Sequence, residues 1–434
     1  MSIIDAVHAN PHVSSNPHVL ITKTSQGVCS VTYSTDMPVN KIVFMRNPDT
    51  SRTSRWSPLD KEMMLAVDEK GAEYIARKDG NAFDHVSLSL TPSYTHLPKD
   101  YSPFSPFSDG GHLSHSGRYF ACVNTCENVK NEWQINVQAP PGEHIIVNGA
   151  VYYKPINWVD SDSGRNFYVG KQSPVEGDSF IALVDEQLPN ILKDSLTEQL
   201  PKLMQYFESK LGIAKGPKPM LFASYSNKPG SSSQGGTLPD QIFMHWDFDD
   251  LDERVKSRKY VYQTLWFYAH EAAHFFQKGP TGEALFGAPE HSWIHEGGAE
   301  WMAKLALSEL YPDMLSYIQK KETQLQQQCE EGLTQTSLIK AADLGLFRLH
   351  YSCGYFVHRV LAADIQRTSE GKLSTFDMWL QFGDVSVKSD ATSVVNFWTA
   401  VEPLIPPPRF KLLKPVLENP GSTAADFWQG VSFH

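Results

Sequence analysis

The chain has 434 residues, 41% hydrophobic and 12% aromatic, which is enough apolar material for two or three domains with cores of their own. A net charge of -11 with no offsetting Lys/Arg cluster argues against a nucleic-acid partner, and the absence of an apolar run of membrane length argues against a membrane one. Five cysteines, an odd number, argue against a complete disulfide framework and fit a reducing compartment.

The start, Met1 to His8, lacks both a basic segment and a long apolar segment of the secretory kind, so the expected location is cytoplasmic. Asn10-Pro11-His12-Val13 recurs as Asn16-Pro17-His18-Val19, an echo too short to be a structural repeat. From about Val19 to Tyr168 the pattern is strand-like, with runs at Val28 to Tyr33, Lys41 to Arg46, Trp133 to Val137 and Ile145 to Val147. Turn signals such as Pro140-Pro141-Gly142 separate them, and together they predict an antiparallel β domain over residues 1–175. His112 and His115, in a Gly-Ser context, read as surface residues. Cys122 and Cys126 could pair but read more readily as small buried or edge residues.

Next come a helical stretch from about Asp185 to Lys210 and a buried-type strand at Met220 to Tyr225. Ser233 to Met244 holds the pair Gly235-Gly236, then Asp240 after a proline, and an apolar strand. Arg258 to Lys278 carries apolar or aromatic residues at Val261, Leu265, Tyr268, Ala269, Ala272, Ala273 and Phe276, a spacing that predicts a largely buried helix stopped by Gly279-Pro280.

Inside that helix lies His270-Glu271-Ala272-Ala273-His274. Two histidines four apart share one helical face and can reach one metal ion, with Glu271 beside them. This H-E-x-x-H arrangement implies a zinc hydrolase, most often one that cleaves peptides. The bland alternative is a buried helix whose histidines satisfy neighbouring carbonyls.

A hydrolytic zinc needs a third protein ligand and an open position for water. The metzincin pattern would place Gly at 277 and His at 280; Gln277 and Pro280 exclude it. Downstream, Trp293 to Leu310 predicts a second helix ended by Tyr311-Pro312, with Glu296 and Glu300 one turn apart. His291 and His295 lie close by; His295 points about 100° away from Glu296 around the helix, and both read as rim or surface residues. Farther on, His350-Tyr351-Ser352-Cys353-Gly354-Tyr355-Phe356 opens another helical segment, and Pro403, Pro406, Pro407 and Pro408 mark a C-terminal strap.

These segments resemble the gluzincin metallopeptidases, most closely the M1 and M61 aminopeptidase families, whose second motif reads W-x-x-E-G-x-A; Trp293, Glu296, Gly297 and Ala299 match it. The resemblance implies an α+β fold: the N-terminal antiparallel β domain, then a thermolysin-like, mainly helical zinc-peptidase domain over residues 176–434. It makes Glu296 the third ligand of one Zn2+ per chain, beside His270 and His274. Glu300 corresponds to the carboxylate that holds a zinc-bound histidine, here His270, by its other ring nitrogen. Tyr351 and Gly354 fit the family's Y-x-x-G, whose tyrosine stabilises the oxyanion; Tyr355 is the fallback, and His350 a possible second donor. Glu271 is the general base. M1 enzymes grip the substrate amine partly through a G-x-M-E-N segment. Gly235 and Gly236 keep its glycine character, Met-Glu-Asn is missing, and Asp240 could substitute. The expected function is therefore a zinc metallopeptidase acting on a peptide or protein, aminopeptidase favoured over endopeptidase. A non-catalytic peptide-binding protein is the third reading, against which the intact Glu271 stands.

Overall fold

The computed structural model describes residues 16–47, 51–96, 102, 104–162, 164–177, 180–212, 218–227, 230–238, 240–277 and 288–432. The segments Met1 to His8 and Asn10 to Val13 and the Gly279-Pro280 stop lie outside them. No helix among the described residues is long and apolar enough to cross a membrane.

Strands between His18 and Gly170 build three sheets. The first runs Ile156–Asp160, Trp133–Gln138, His18–Lys23, Cys29–Val39, Phe83–Leu90, Trp56–Pro58, and the second Ala121–Val123, Lys41–Phe44, Glu73–Arg77, Met63–Val67. Along His18–Lys23 burial alternates residue by residue, as a strand with one face on a core requires. The expected antiparallel domain carries one parallel pair: His18–Lys23 runs in the same direction as Trp133–Gln138, with Val19 opposite Ile135. Such pairing requires a long crossover, and no local pattern announces a partner more than a hundred residues away.

The third sheet runs Ala150–Tyr152, His144–Val147, Asn166–Gly170, His112–His115, Phe104–Pro106. It overturns the surface reading of His112 and His115. Both are strand residues, 3% and 1% exposed, and burial pushes their pKa values down to about 3. Pairing of His115 with Asn166 covers them, a long-range contact that outweighs the loop-like local composition.

The cysteine reading is also corrected. Cys122 is bonded to Cys126 and Cys329 to Cys353, leaving Cys29 as a buried thiol. The odd count concealed two pairs, so cysteine usage no longer supports a reducing compartment.

A fourth, mixed sheet follows, made of β1 (Val175–Glu176), β2 (Ile181–Val184), β3 (Met220–Tyr225), β4 (Ser231–Leu238) and β5 (Gln241–Phe248), in the spatial order β1-β2-β3-β5-β4. β2, β3 and β5 are parallel; β4 is an antiparallel edge strand. β3 is buried at every residue because both faces of the sheet are covered. Met220 and Phe222 pack with Leu113, Ile146 and Tyr168 of the third sheet, whereas Leu221 and Ala223 join the helical core. The two-residue period of the strand thus divides one sequence run between two cores.

The main helices are α1 (Leu200–Leu211), α2 (Arg258–Phe276), which packs on β4, and α3 (Trp293–Leu310), α4 (Leu315–Leu333) and α5 (Arg348–Thr368), which pack on one another, as the α+β expectation requires. α1 is preceded by a short helix, Asn190–Asp194, and a widened π turn at Ser195–Gln199. Pro201, early in α1, has no N–H to donate, and the wide turn absorbs the missing bond. The proline-rich tail read as a strap is helical: Pro407–Glu418 begins with prolines in its first turn, where their missing N–H costs nothing. Its Arg409 is buried and donates to Asp364 of α5 and to the carbonyls of Gly430 and Ser432, tying the tail down.

Candidate functional site

α2 buries Leu265, Trp266, Ala269, Ala272 and Ala273, and the same packing turns His270 and His274 towards α3. Their rings lie edge to face with centroids 4.5 Å apart. From α3, Glu296 brings one carboxylate oxygen to 3.2 Å from His270 Nε2 and 3.1 Å from His274 Nε2. Among the described residues these three form a group whose donor atoms all lie within 4.8 Å of one another. Two imidazole nitrogens and one carboxylate oxygen at that spacing fit the His2Glu donor set of a catalytic zinc with an open fourth position.

The charges confirm how tightly the three are coupled. Burial alone would raise the Glu296 pKa, yet the His274 charge and hydrogen bonds from His270, His274 and His295 hold it well below the carboxylate range. His274 moves the opposite way: against its burial, Glu296, Glu271 and Gln277 push it up to about 9. An anion this stabilised by cation-forming neighbours is one that a metal ion can replace those protons on.

α3 and α5 meet at a pair of glycines. A Cβ on Gly297 would stand 2.3 Å from the Gly354 carbonyl carbon, and one on Gly354 would stand 2.8 Å from Gly297 Cα and 2.8 Å from the Trp293 carbonyl oxygen. Only glycine permits so close a crossing. It brings Tyr351, one turn before Gly354, over the cluster, where its ring stacks on that of His270 at 5.4 Å and 18°. Burial, reinforced by Glu296, Glu271 and Glu300, raises the Tyr351 hydroxyl well above its usual pKa, so it stays a proton donor.

Glu271 lies beside the histidines, 7% exposed, and its Oε2 accepts a 2.6 Å hydrogen bond from the Thr237 hydroxyl on the edge strand β4. Glu300 Oε1 sits 3.8 Å from His270 Nδ1, within ion-pair reach, while its other oxygen accepts from the Trp266 indole.

No protein-family model and no curated protein matches the sequence. Solved structures do match. An aminopeptidase N family protein from Idiomarina loihiensis superposes with a TM-score of 0.60 at 14% identity, over 95% of this chain and 78% of that one. Yeast LTA4 hydrolase gives 0.52 at 11% identity, over 96% and 71%. The chain has the aminopeptidase N family fold. Its β sheets followed by a helical region are the architecture of that fold, and the structural likeness extends over nearly the whole chain.

On this aminopeptidase N framework the remaining residues separate. Gly235 and Gly236 lie on β4, opposite Met244 and Phe243, and a Cβ on Gly235 would strike the Phe243 carbonyl and the Phe267 ring. Asp240, the residue that could substitute as an amine anchor, sits in the turn after β4, with its carboxylate 3.8 Å from Arg165. His350 is fully buried, and that burial pushes it down to about 4, so it is a neutral ring packed in the interior. Tyr355 is likewise fully buried and donates to Glu322 on α4. His295 comes closer than a rim residue, its Nε2 3.5 Å from the other oxygen of Glu296. Sequence reasoning missed Thr237, Trp266 and Gln277. Trp266 precedes His270 by one turn and Gln277 follows His274 by three residues, so helical spacing could have flagged both. Nothing local flags Thr237.

Proposed function

We propose that this protein is a zinc-dependent metallopeptidase, a reading carried by the convergence of His270, His274 and Glu296 within 4.8 Å, with Glu271 and Tyr351 beside it. His270, His274 and Glu296 would hold the ion. Zinc bound there supplies a Lewis acid and lowers the pKa of a coordinated water from about 15.7 towards 7. Glu271 takes a proton from water and returns it to the leaving amine. The Thr237 hydroxyl occupies one Glu271 oxygen and so aims the carboxylate. Tyr351, held protonated, donates to the negative charge that develops on the scissile carbonyl oxygen. Glu300 and the Trp266 indole orient His270. We assign residues 1–175 to the β domain and 176–434 to the catalytic domain.

Within this class, the fold shared with an aminopeptidase N family protein favours removal of N-terminal residues from peptides. A second reading, endopeptidase, is favoured by one observation: β4 carries no acidic side chain, and Asp240 beyond it is engaged by Arg165. Hydrolysis of matched free-amine and N-blocked peptides, with and without chelator, separates them. Chelator-sensitive cleavage of the free-amine set alone establishes the exopeptidase, and cleavage of both sets the endopeptidase. Zinc-loaded protein that cleaves neither refutes peptidase function and leaves a binding protein.

A further inference from the structure

Gln277 stands at the end of α2, 1% exposed, with its amide wedged between two parts of the cluster. Its Nε2 donates to the carbonyl of His295 at 3.0 Å, and its Oε1 lies 2.8 Å from His274 Nδ1. The first contact decides the second. A carbonyl oxygen can only accept, so the amide nitrogen must face His295, and the atom facing His274 is therefore an oxygen. An oxygen there requires a proton on Nδ1 and leaves Nε2, the nitrogen 3.1 Å from Glu296, as the ring's site for a metal.

The surroundings keep this amide in one orientation. A Cβ on Gly298 would come within 2.9 Å of Gln277 Nε2 and 2.4 Å of Trp379 Cζ2, so the second glycine of Gly297-Gly298 is the space into which the amide fits. Gln277 also joins the two ligand-bearing helices, since the carbonyl it holds belongs to the residue before Glu296.

We infer that Gln277 is a positioning residue for the metal: through one buried amide it fixes the tautomer and ring orientation of His274 and the backbone that presents Glu296. The two histidines are then supported unequally, His270 by the Glu300 carboxylate and His274 by a neutral amide. The inference rests on the zinc-site reading above.

The test measures zinc affinity by competition with a chelating indicator on the full chain, together with the melting temperature of the metal-free protein. Q277M has nearly the same shape but neither accepts nor donates strongly. It is expected to weaken zinc binding about 10- to 100-fold. Q277E keeps an acceptor opposite His274 Nδ1 but cannot donate to the His295 carbonyl, so its affinity is expected to fall less than that of Q277M. A purely structural role predicts that both variants lose metal-free stability while zinc affinity stays unchanged. Wild-type affinity in Q277M, or a loss in Q277E as large as in Q277M, overturns the inference. If Q277M does not fold, Q277E alone decides, a 100-fold or greater loss overturning it. A separate arm guards the underlying reading: wild-type protein that takes up no zinc, or H274A that binds it as tightly as the wild type, removes the site itself, whatever Gln277 does.

Discussion

Replacing Gly354 by alanine adds one methyl group where α5 crosses α3. The new Cβ would lie 2.8 Å from Gly297 Cα and 2.8 Å from the Trp293 carbonyl oxygen, and both are backbone atoms that cannot rotate aside. Ordinary carbon contacts begin near 3.5 Å, so the helices must part by about 0.7 Å or deform. Forced packing of this kind costs about 1–3 kcal/mol. The site feels the same displacement, because α3 carries Glu296 and α5 carries Tyr351; a shift near 1 Å costs about 100-fold in rate where reacting groups must be aligned. G354A should therefore melt at a lower temperature and lose roughly two orders of magnitude in kcat/KM on a cleavable peptide, with the loss mainly in kcat. G297A, whose Cβ would stand 2.3 Å from the Gly354 carbonyl carbon, should be worse on both counts. Thermal unfolding and steady-state kinetics read the two effects. A G354A protein with wild-type melting and wild-type kcat/KM would refute the claim that this crossing holds the site together.

E271Q should abolish turnover while zinc stoichiometry, read by metal analysis, stays at one per chain; lost metal would mean that Glu271 is a ligand rather than a base. T237V should lower kcat by about 10-fold or more with little change in KM, and T237S should recover it, since the hydroxyl alone aims Glu271. Acid should destabilise the fold early. His112, His115 and His245 are pushed down to about 3 and His350 and His358 to about 4, each mainly by burial. A histidine whose folded pKa is depressed contributes stability that is complete above its unfolded value near 6.5 and is lost as pH falls below it. Each unit below 6.5 costs about 1.4 kcal/mol per histidine, about 7 kcal/mol for the five by pH 5.5, comparable with a typical total stability. Denaturant midpoints at pH 7.5 and 5.5 check this, and equal midpoints would contradict it.

Where the signal is short-range, the sequence is legible. Strands Cys29–Val39 and Trp133–Gln138 sit close to where alternation placed them, and α2 and α3 cover the predicted segments. Errors concentrate where a distant segment decides. His112 and His115 are covered by Asn166–Gly170, Cys329 and Cys353 are 24 residues apart, and the tail is anchored through Arg409 on a helix that ends some forty residues earlier.

By itself the sequence determined that two imidazoles share one helical face, because a 3.6-residue repeat puts positions 270 and 274 on the same side whatever surrounds them. It also carried the glutamate and tyrosine motifs in their order. Tertiary structure alone decided that these pieces converge. The glycine crossing of α3 and α5 sets the distance between Glu296 and Tyr351, the edge strand supplies Thr237 to Glu271, and one buried amide chooses which nitrogen of His274 faces the centre. The first two are contacts between segments remote in sequence, and the third depends on the hold that Gln277 takes on the His295 carbonyl of the next helix, so their geometry follows from how whole helices and sheets pack.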